Sequence, residues 1–215
     1  MRNKVNREKL LNLYRKLPFH HRLFVRLRAD MLPLEEINEI IPNEGVIVDL
    51  GCGHGVISNY LALLSSQRNV YGIDFDDERI SLARTTVGIR NNINFENKDI
   101  TNLNIIESNA VILFGVLCLV PFESWGIILQ KVKNSLSSDG VLLIHEIKKT
   151  DTFLYKIHAF KEHVFRAIGI TKAKGLYVMN EGDFVEKMKS LDLECKKMGV
   201  NVKGHSTITY VLKKK

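Results

Sequence analysis

The chain has 215 residues, 45% of them hydrophobic and 26% charged, with a formal net charge of +7, which suits one domain with a sizeable core. The longest apolar run, Ala110 to Phe122, contains Gly115 and Pro121 and is too short for a bilayer span. Cys52, Cys118 and Cys195 have neither metal spacing nor an even count, which points away from a disulfide scaffold and toward a reducing cytoplasm. No apolar segment or cleavage site follows the basic amino terminus, so a cytoplasmic rather than a secreted protein is expected. The charge is uneven: residues 1–30 hold nine Lys/Arg against Glu8 and Asp30, and residues 31–215 are balanced. Residues 1–42 therefore read as a basic helical arm or cap, and residues 43–215 as the main domain. A basic stretch interleaved with aliphatic and aromatic residues points to an anionic partner, either a membrane surface or a nucleic acid.

In chain order, residues 6–17 predict a helix with an apolar stripe of Leu10, Leu13, Tyr14 and Leu17, broken by Pro18. Residues 19–31 predict a second helix with Phe24, Leu27 and Met31 on one side and Arg22, Arg26 and Arg28 around them. These two helices either cap the sheet edge or meet an external partner. A short helix, 34–41, lies between Pro33 and Pro42. Residues 46–50 then read as a buried strand running into Gly51-Cys52-Gly53-His54-Gly55 and a helix over 55–65. Alternate glycines at such a junction let a ligand lie against bare backbone. A second strand, 70–74, ends on Asp74, and a carboxylate about 20 residues beyond the loop suits the hydroxyls of a ribose. The third glycine is not inside the helix, so the dinucleotide pattern is not met, and no Gly-Lys-Ser/Thr follows to make a phosphate loop.

Further strands are predicted at 93–96, 110–115 and 141–147, with helices near 77–88 and 122–136. This alternation implies a doubly wound α/β fold with helices on both faces of a mostly parallel sheet. Leu193 to Val200 and Thr207 to Leu212 read as an antiparallel closing hairpin. Between strand five and the last helix, about 148–180, Phe153, Ile157 and Phe160 fall at helical spacing with His158 among them, a candidate lid over the carboxyl edge.

The run Val46-Ile47-Val48-Asp49-Leu50-Gly51-Cys52-Gly53-His54-Gly55, with Asp74 after it, resembles motif I of the class I S-adenosylmethionine-dependent methyltransferases, of the small-molecule type. The resemblance is strong over 45–147 and weaker over 180–215. It implies a seven-stranded Rossmann-like sheet with S-adenosylmethionine as cofactor. Asp49, Gly51, Cys52, Gly53 and Gly55 would form its loop and Asp74 would hold its ribose. Asp99 would meet the adenine amine, with Phe75 and Ile100 against the ring and Phe114 lining the site. The fourth strand resembles the family's Asp-Val-Leu-His-His-Leu-Pro segment but has Gly115 in place of the acid and Cys118 in place of a histidine. Neither the Asn/Asp-Pro-Pro-Tyr/Phe motif of base amine methylation nor a Pro-Cys nucleophile pair is present.

A sulfonium methyl is already electrophilic, so alignment and water exclusion can supply most of the catalysis. His145 and Glu146, at the end of strand five, are the best-placed candidates for a general base or polar substrate contact. Neighbours on a strand face opposite ways, so at most one can serve, and Glu146 is favoured. Tyr14, with Phe153, Ile157, His158 and Phe160, is the candidate substrate or lid group. The expected function is methyl transfer to a small or lipid-like hydrophobic acceptor with little general-base help. A peripheral membrane association through residues 1–30 is a second expectation. The alternatives are an RNA methyltransferase using the basic arm and a cofactor-binding partner subunit without turnover.

Overall fold

The two central strands of the parallel sheet, Gly45–Leu50 and Ser108–Phe114, are apolar along most of their length, as strands buried on both faces must be. The computed structural model describes residues 2–147, 175–198 and 207–214, with side chains from Asn6 onward. Its strands are β1 (Gly45–Leu50), β2 (Arg68–Asp74), β3 (Ile93–Asn97), β4 (Ser108–Phe114), β5 (Leu136–Ile147), β6 (Leu193–Met198) and β7 (Thr207–Lys214). They form one seven-stranded sheet in the order β3-β2-β1-β4-β5-β7-β6. The first five pair in parallel, and β7 lies antiparallel between β5 and β6, which makes the expected closing hairpin.

Period-two alternation sorts the sheet into two cores. Ile47, Val70, Phe95, Ile112 and Phe114 face the helices α1 (Arg2–Leu13), α2 (Phe19–Met31), α3 (Leu34–Ile40), α4 (Val56–Leu64) and α5 (Asp77–Arg84). Val48, Leu50, Val111, Leu113 and Ile144 face α6 (Phe122–Ser135) and α7 (Glu181–Ser190). Leu10, Tyr14 and Leu17 from the amino-terminal region, and Val25 and Ala29 from α2, are buried in the first of these cores. The basic stretch is therefore packed into this core against α4, and Arg7 of α1 is ion-paired with Asp30 of α2.

Several boundaries differ from expectation. The first helix starts earlier and ends at Leu13, after which Tyr14 to Leu17 form tight turns. The ring of Pro18 disfavours helical backbone at the residue before it, so the helix unwinds a turn early while its buried stripe persists. In α2 the buried residues are Val25 and Ala29, with Phe24 half-buried, whereas Leu27 and Met31 face outward, contrary to the predicted stripe. Helix α5 stops at Arg84, short of a run of β-branched residues and Gly88 at φ +61°. Strand β5 begins at Leu136; the Ser-Ser-Asp-Gly turn signal hid a pairing of Leu136 with Ser108 that slips register before Ala110.

Arg68 anchors the connection into the sheet. Its guanidinium is buried and donates to the carbonyls of Ile41, Pro42 and Leu61 and to the side-chain oxygens of Asn38 and Asn43, at 2.7–3.2 Å. No helix among the described residues is long and apolar enough to cross a membrane.

Candidate functional site

β1 pairs with β2 on one side and β4 on the other, so the chain reverses its winding there, and open α/β sheets bind ligands at the carboxyl ends of the strands at such a point. The glycine loop turns out of β1 at this point. Gly51, Gly53 and Gly55 all take left-handed backbone, at φ +73°, +55° and +72°. The three do different work. A Cβ on Gly51 would lie 2.5 Å from Val116 Cγ2, and one on Gly55 would lie 2.4 Å from Phe95 Cζ, so these two glycines allow close packing within the protein. A Cβ on Gly53 would meet nothing nearer than the Arg79 guanidinium at 3.9 Å. Gly53 alone presents bare backbone to open space.

The two acids of the motif lie inward at this loop. Asp49 is buried, and its Oδ2 accepts a 2.5 Å hydrogen bond from the Ser58 hydroxyl, tying the strand end to the first turn of α4. Burial raises its pKa to about 6; the Ser58 hydrogen bond opposes this, the Asp74 charge adds to it, and the Arg28 charge lowers it. Asp74 is also buried. Its Oδ2 accepts from the Gly53 N–H at 2.8 Å and its Oδ1 from the Asp76 N–H at 2.9 Å. An ionised carboxylate has about four acceptor positions, so these two bonds leave room for ribose hydroxyls. Phe75, beside it, is exposed, as is Asp99, whose Oδ1 accepts from both the Thr101 N–H and hydroxyl at 2.8 Å. Ile100 is half-buried against the second core. Cys52 is half-buried in the loop, its N–H donating to the Ile73 carbonyl at 3.1 Å.

The expected general base is otherwise engaged. Glu146 is buried, and its Oε1 accepts from the N–H groups of Val116 and Leu117 at 3.0 and 2.7 Å while Oε2 accepts from that of Cys118 at 3.2 Å. It anchors the 3₁₀ turn after β4, because on β5 its side chain faces the second core and the buried amides at the start of that turn. Burial raises its pKa to about 7 against the pull of those hydrogen bonds. His145, on the opposite face, is sealed in: its ring stacks on Phe114 with centroids 3.9 Å apart, and Nδ1 lies 2.7 Å from the Thr209 hydroxyl. Tyr14 does not line a pocket either. Its buried hydroxyl donates to the His54 carbonyl at 2.9 Å and accepts from Asn59 Nδ2 at 2.8 Å, which pins the amino-terminal region to the glycine loop. Phe153, Ile157, His158 and Phe160 lie outside the described residues.

Sequence reasoning missed the inner face of α2. His21 Nδ1 lies 3.1 Å from His54 Nε2, Phe24 packs against the His54 ring at 5.1 Å, and the Arg28 guanidinium sits 5.8 Å from the Phe114 ring. His54 is buried by these contacts, which lowers its pKa to about 4, with the Arg79 charge contributing. A histidine between two of the motif's glycines was the available signal. The turn 116–120 is pinned as well, since Trp125 Nε1 donates to the carbonyls of Leu117 and Val120 and the Tyr177 N–H to that of Cys118. The cavity beside it, about 20 Å³ and lined by Cys118, Trp125, Glu146, Tyr177 and Phe184, holds no more than a water molecule.

Comparison with known proteins agrees with this geometry. Residues 42–198 match a family model described as a methyltransferase domain. A carboxy-S-adenosyl-L-methionine synthase from Helicobacter pylori is 31% identical over 149 residues, 67% of this chain and 60% of that protein. A malonyl-[acyl-carrier protein] O-methyltransferase from Bacillus cereus is 31% identical over 100 residues, 45% of this chain and 35% of that one. The chain thus spans less than two thirds of the length of either relative. Among solved structures, a TehB-like SAM-dependent methyltransferase from Corynebacterium glutamicum shares the fold at a TM-score of 0.61 and 19% identity, covering 85% of this chain and 86% of the other.

Proposed function

The chain belongs to the class I S-adenosylmethionine-dependent methyltransferases, and on that premise we propose that it transfers a methyl group to a small, largely apolar acceptor at the carboxyl edge of β1 and β4. The observation that carries the reading is the pairing of Gly53 with Asp74: open backbone at one, a buried carboxylate 2.8 Å from its N–H at the other. Bound S-adenosylmethionine supplies an electrophilic methyl, so the protein's task is to hold an acceptor in line at about 3 Å and exclude water. Asp74 takes the ribose hydroxyls, Asp49 acts through Ser58 to set the loop, and Phe75, Asp99 and Ile100 surround the adenine. Phe114, Val116 and Phe24 of α2 supply the apolar part of the wall beside the methyl. The engagement of Glu146 with three amides supports catalysis by alignment without a base from that position; alignment alone supplies roughly 7–11 kcal/mol. The absence from the sequence of the base-methylating motifs, and the O-methyltransferase named among the relatives, support a small-molecule acceptor over RNA.

Isothermal titration with S-adenosylhomocysteine tests the first half of this reading, and no heat of binding from folded protein would remove it. The second half is tested by release of S-adenosylhomocysteine in the presence of fractionated cell extract. Turnover should follow the organic-soluble fraction, and turnover that follows RNA would overturn the choice of acceptor.

A further inference from the structure

Helix α2 has two working faces. The inner one packs Val25 and Ala29 into the core and sets His21, Phe24 and Arg28 against the site. The outer one carries Phe19, Leu23, Leu27 and Met31, spaced four apart, and these large apolar side chains are 70%, 46%, 54% and 39% exposed. Residues four apart on a helix lie in one row, so they form a continuous stripe. Arg22 and Arg26 are exposed along one flank, Arg15 and Lys16 are exposed in the turn before it, and the Arg22 guanidinium sits 5.9 Å from the Phe19 ring. An apolar stripe on a surface helix is usually its core face. Here the core face is a different one, and among the described residues the stripe stays exposed.

We propose that the outer face of α2 docks on an anionic lipid surface, with Phe19, Leu23, Leu27 and Met31 entering the interface and the flanking arginines meeting the headgroups. Charge decides among the occupants. Residues 1–30 hold the whole net positive charge of the chain, so this face has a sign that the rest lacks. A second copy placed on it by a two-fold axis would set these arginines against each other. A nucleic acid would satisfy the arginines, but a row of aliphatic side chains gains nothing from a phosphate backbone. A lipid surface gives both sets of groups what they need. Docking would also bring the carboxyl edge, which the other face of the helix covers, close to the bilayer. This inference does not rest on the identity of the methyl acceptor.

The test is flotation of the full chain with vesicles of phosphatidylcholine alone or mixed equally with phosphatidylglycerol, at low and high salt. Partition should be at least about tenfold stronger on the anionic vesicles and should weaken with salt. The double variant Leu23→Gln/Leu27→Gln should lose about tenfold or more while keeping the wild-type melting temperature, because both side chains are exposed. Arg22→Gln/Arg26→Gln should erase most of the preference for anionic vesicles. No flotation, or flotation indifferent to both variants, would overturn the proposal. So would self-association in gel filtration that Leu23→Gln/Leu27→Gln abolishes, or RNA binding of comparable strength that Arg22→Gln/Arg26→Gln abolishes and Leu23→Gln/Leu27→Gln leaves intact.

Discussion

Alanine at Gly53 and alanine at Gly55 impose similar backbone strain in different surroundings. Both glycines have left-handed backbone, φ +55° and +72°, and a Cβ there costs about 1–2 kcal/mol. At Gly53 that is the whole cost, since the added methyl meets only the end of Arg79 at 3.9 Å. At Gly55 the methyl would overlap Phe95 at 2.4 and 2.5 Å, and Phe95 is fully buried with nowhere to retreat, which adds about 1–3 kcal/mol. For a domain of this size, where each kcal/mol moves the melting temperature by about 2–4 °C, Gly55→Ala should melt well below Gly53→Ala. The order should reverse for the ligand. The methyl of Gly53→Ala stands where backbone is left bare, so affinity for S-adenosylhomocysteine should fall at least about tenfold. With the wild type, ligand at about 100 times its dissociation constant stabilises by about 2.7 kcal/mol, and a tenfold weaker affinity leaves about 1.4 kcal/mol, so about half or more of that thermal shift should vanish in Gly53→Ala. Calorimetric titration and thermal unfolding with and without ligand read both quantities. Wild-type affinity in Gly53→Ala, or equal destabilisation by the two variants, would refute the division of roles among the glycines.

Acidity should act through Asp49, whose folded-state pKa is raised from 3.8 to about 6. The stabilisation from its protonation is fully present below about pH 4 and lost as pH rises through 6, at most about 3 kcal/mol, so wild type should gain on Asp49→Asn as pH falls from 7 toward 4 in urea titrations. His54, lowered to about 4, works in the opposite sense in both proteins and cancels in the comparison. Glu146→Ala leaves the buried N–H groups of Val116, Leu117 and Cys118 without their acceptor and should cost about 3 kcal/mol or more in urea unfolding. If Glu146→Gln instead abolished turnover at unchanged stability, a direct role in the chemistry would be indicated. Arg68→Ala strands the buried carbonyls of Ile41 and Leu61 and loses three part-buried bonds to Pro42, Asn38 and Asn43, and should cost at least about 3 kcal/mol in the same assay, with lysine a poor substitute because its ammonium has only three donors. Tyr14→Phe removes the hydroxyl between Asn59 and the His54 carbonyl and should cost about 1–2 kcal/mol by thermal unfolding.

The legible parts of the site were those set by local chemistry. Three alternate glycines after a β-run have few explanations other than a tight loop, and an acid ending the next strand must lie at the same edge of a parallel sheet; Gly53 and Asp74 are in contact as that logic requires. Glu146 misled because its place at a strand end suits a base equally well. What distinguishes the cases is whether the next loop turns its amides toward it, and the turn at 116–118 lies 30 residues away in sequence. His54 was passed over because its burial comes from Phe24 and His21, on another helix.

The sequence by itself determined the order of strands and helices, the doubly wound class, the antiparallel ending and the cofactor loop, because hydrophobic period and turn residues act over a few neighbours. Only the tertiary structure decided which side of α2 is buried. That helix has Val25 and Ala29 on one side and Phe19, Leu23, Leu27 and Met31 on another, and its own periodicity allows either to be the core face. The choice fell to Val25 and Ala29 because α2 packs against α4 and meets His54 through Phe24 and His21, which lie on the same side of the helix, and that orientation leaves the large row facing out.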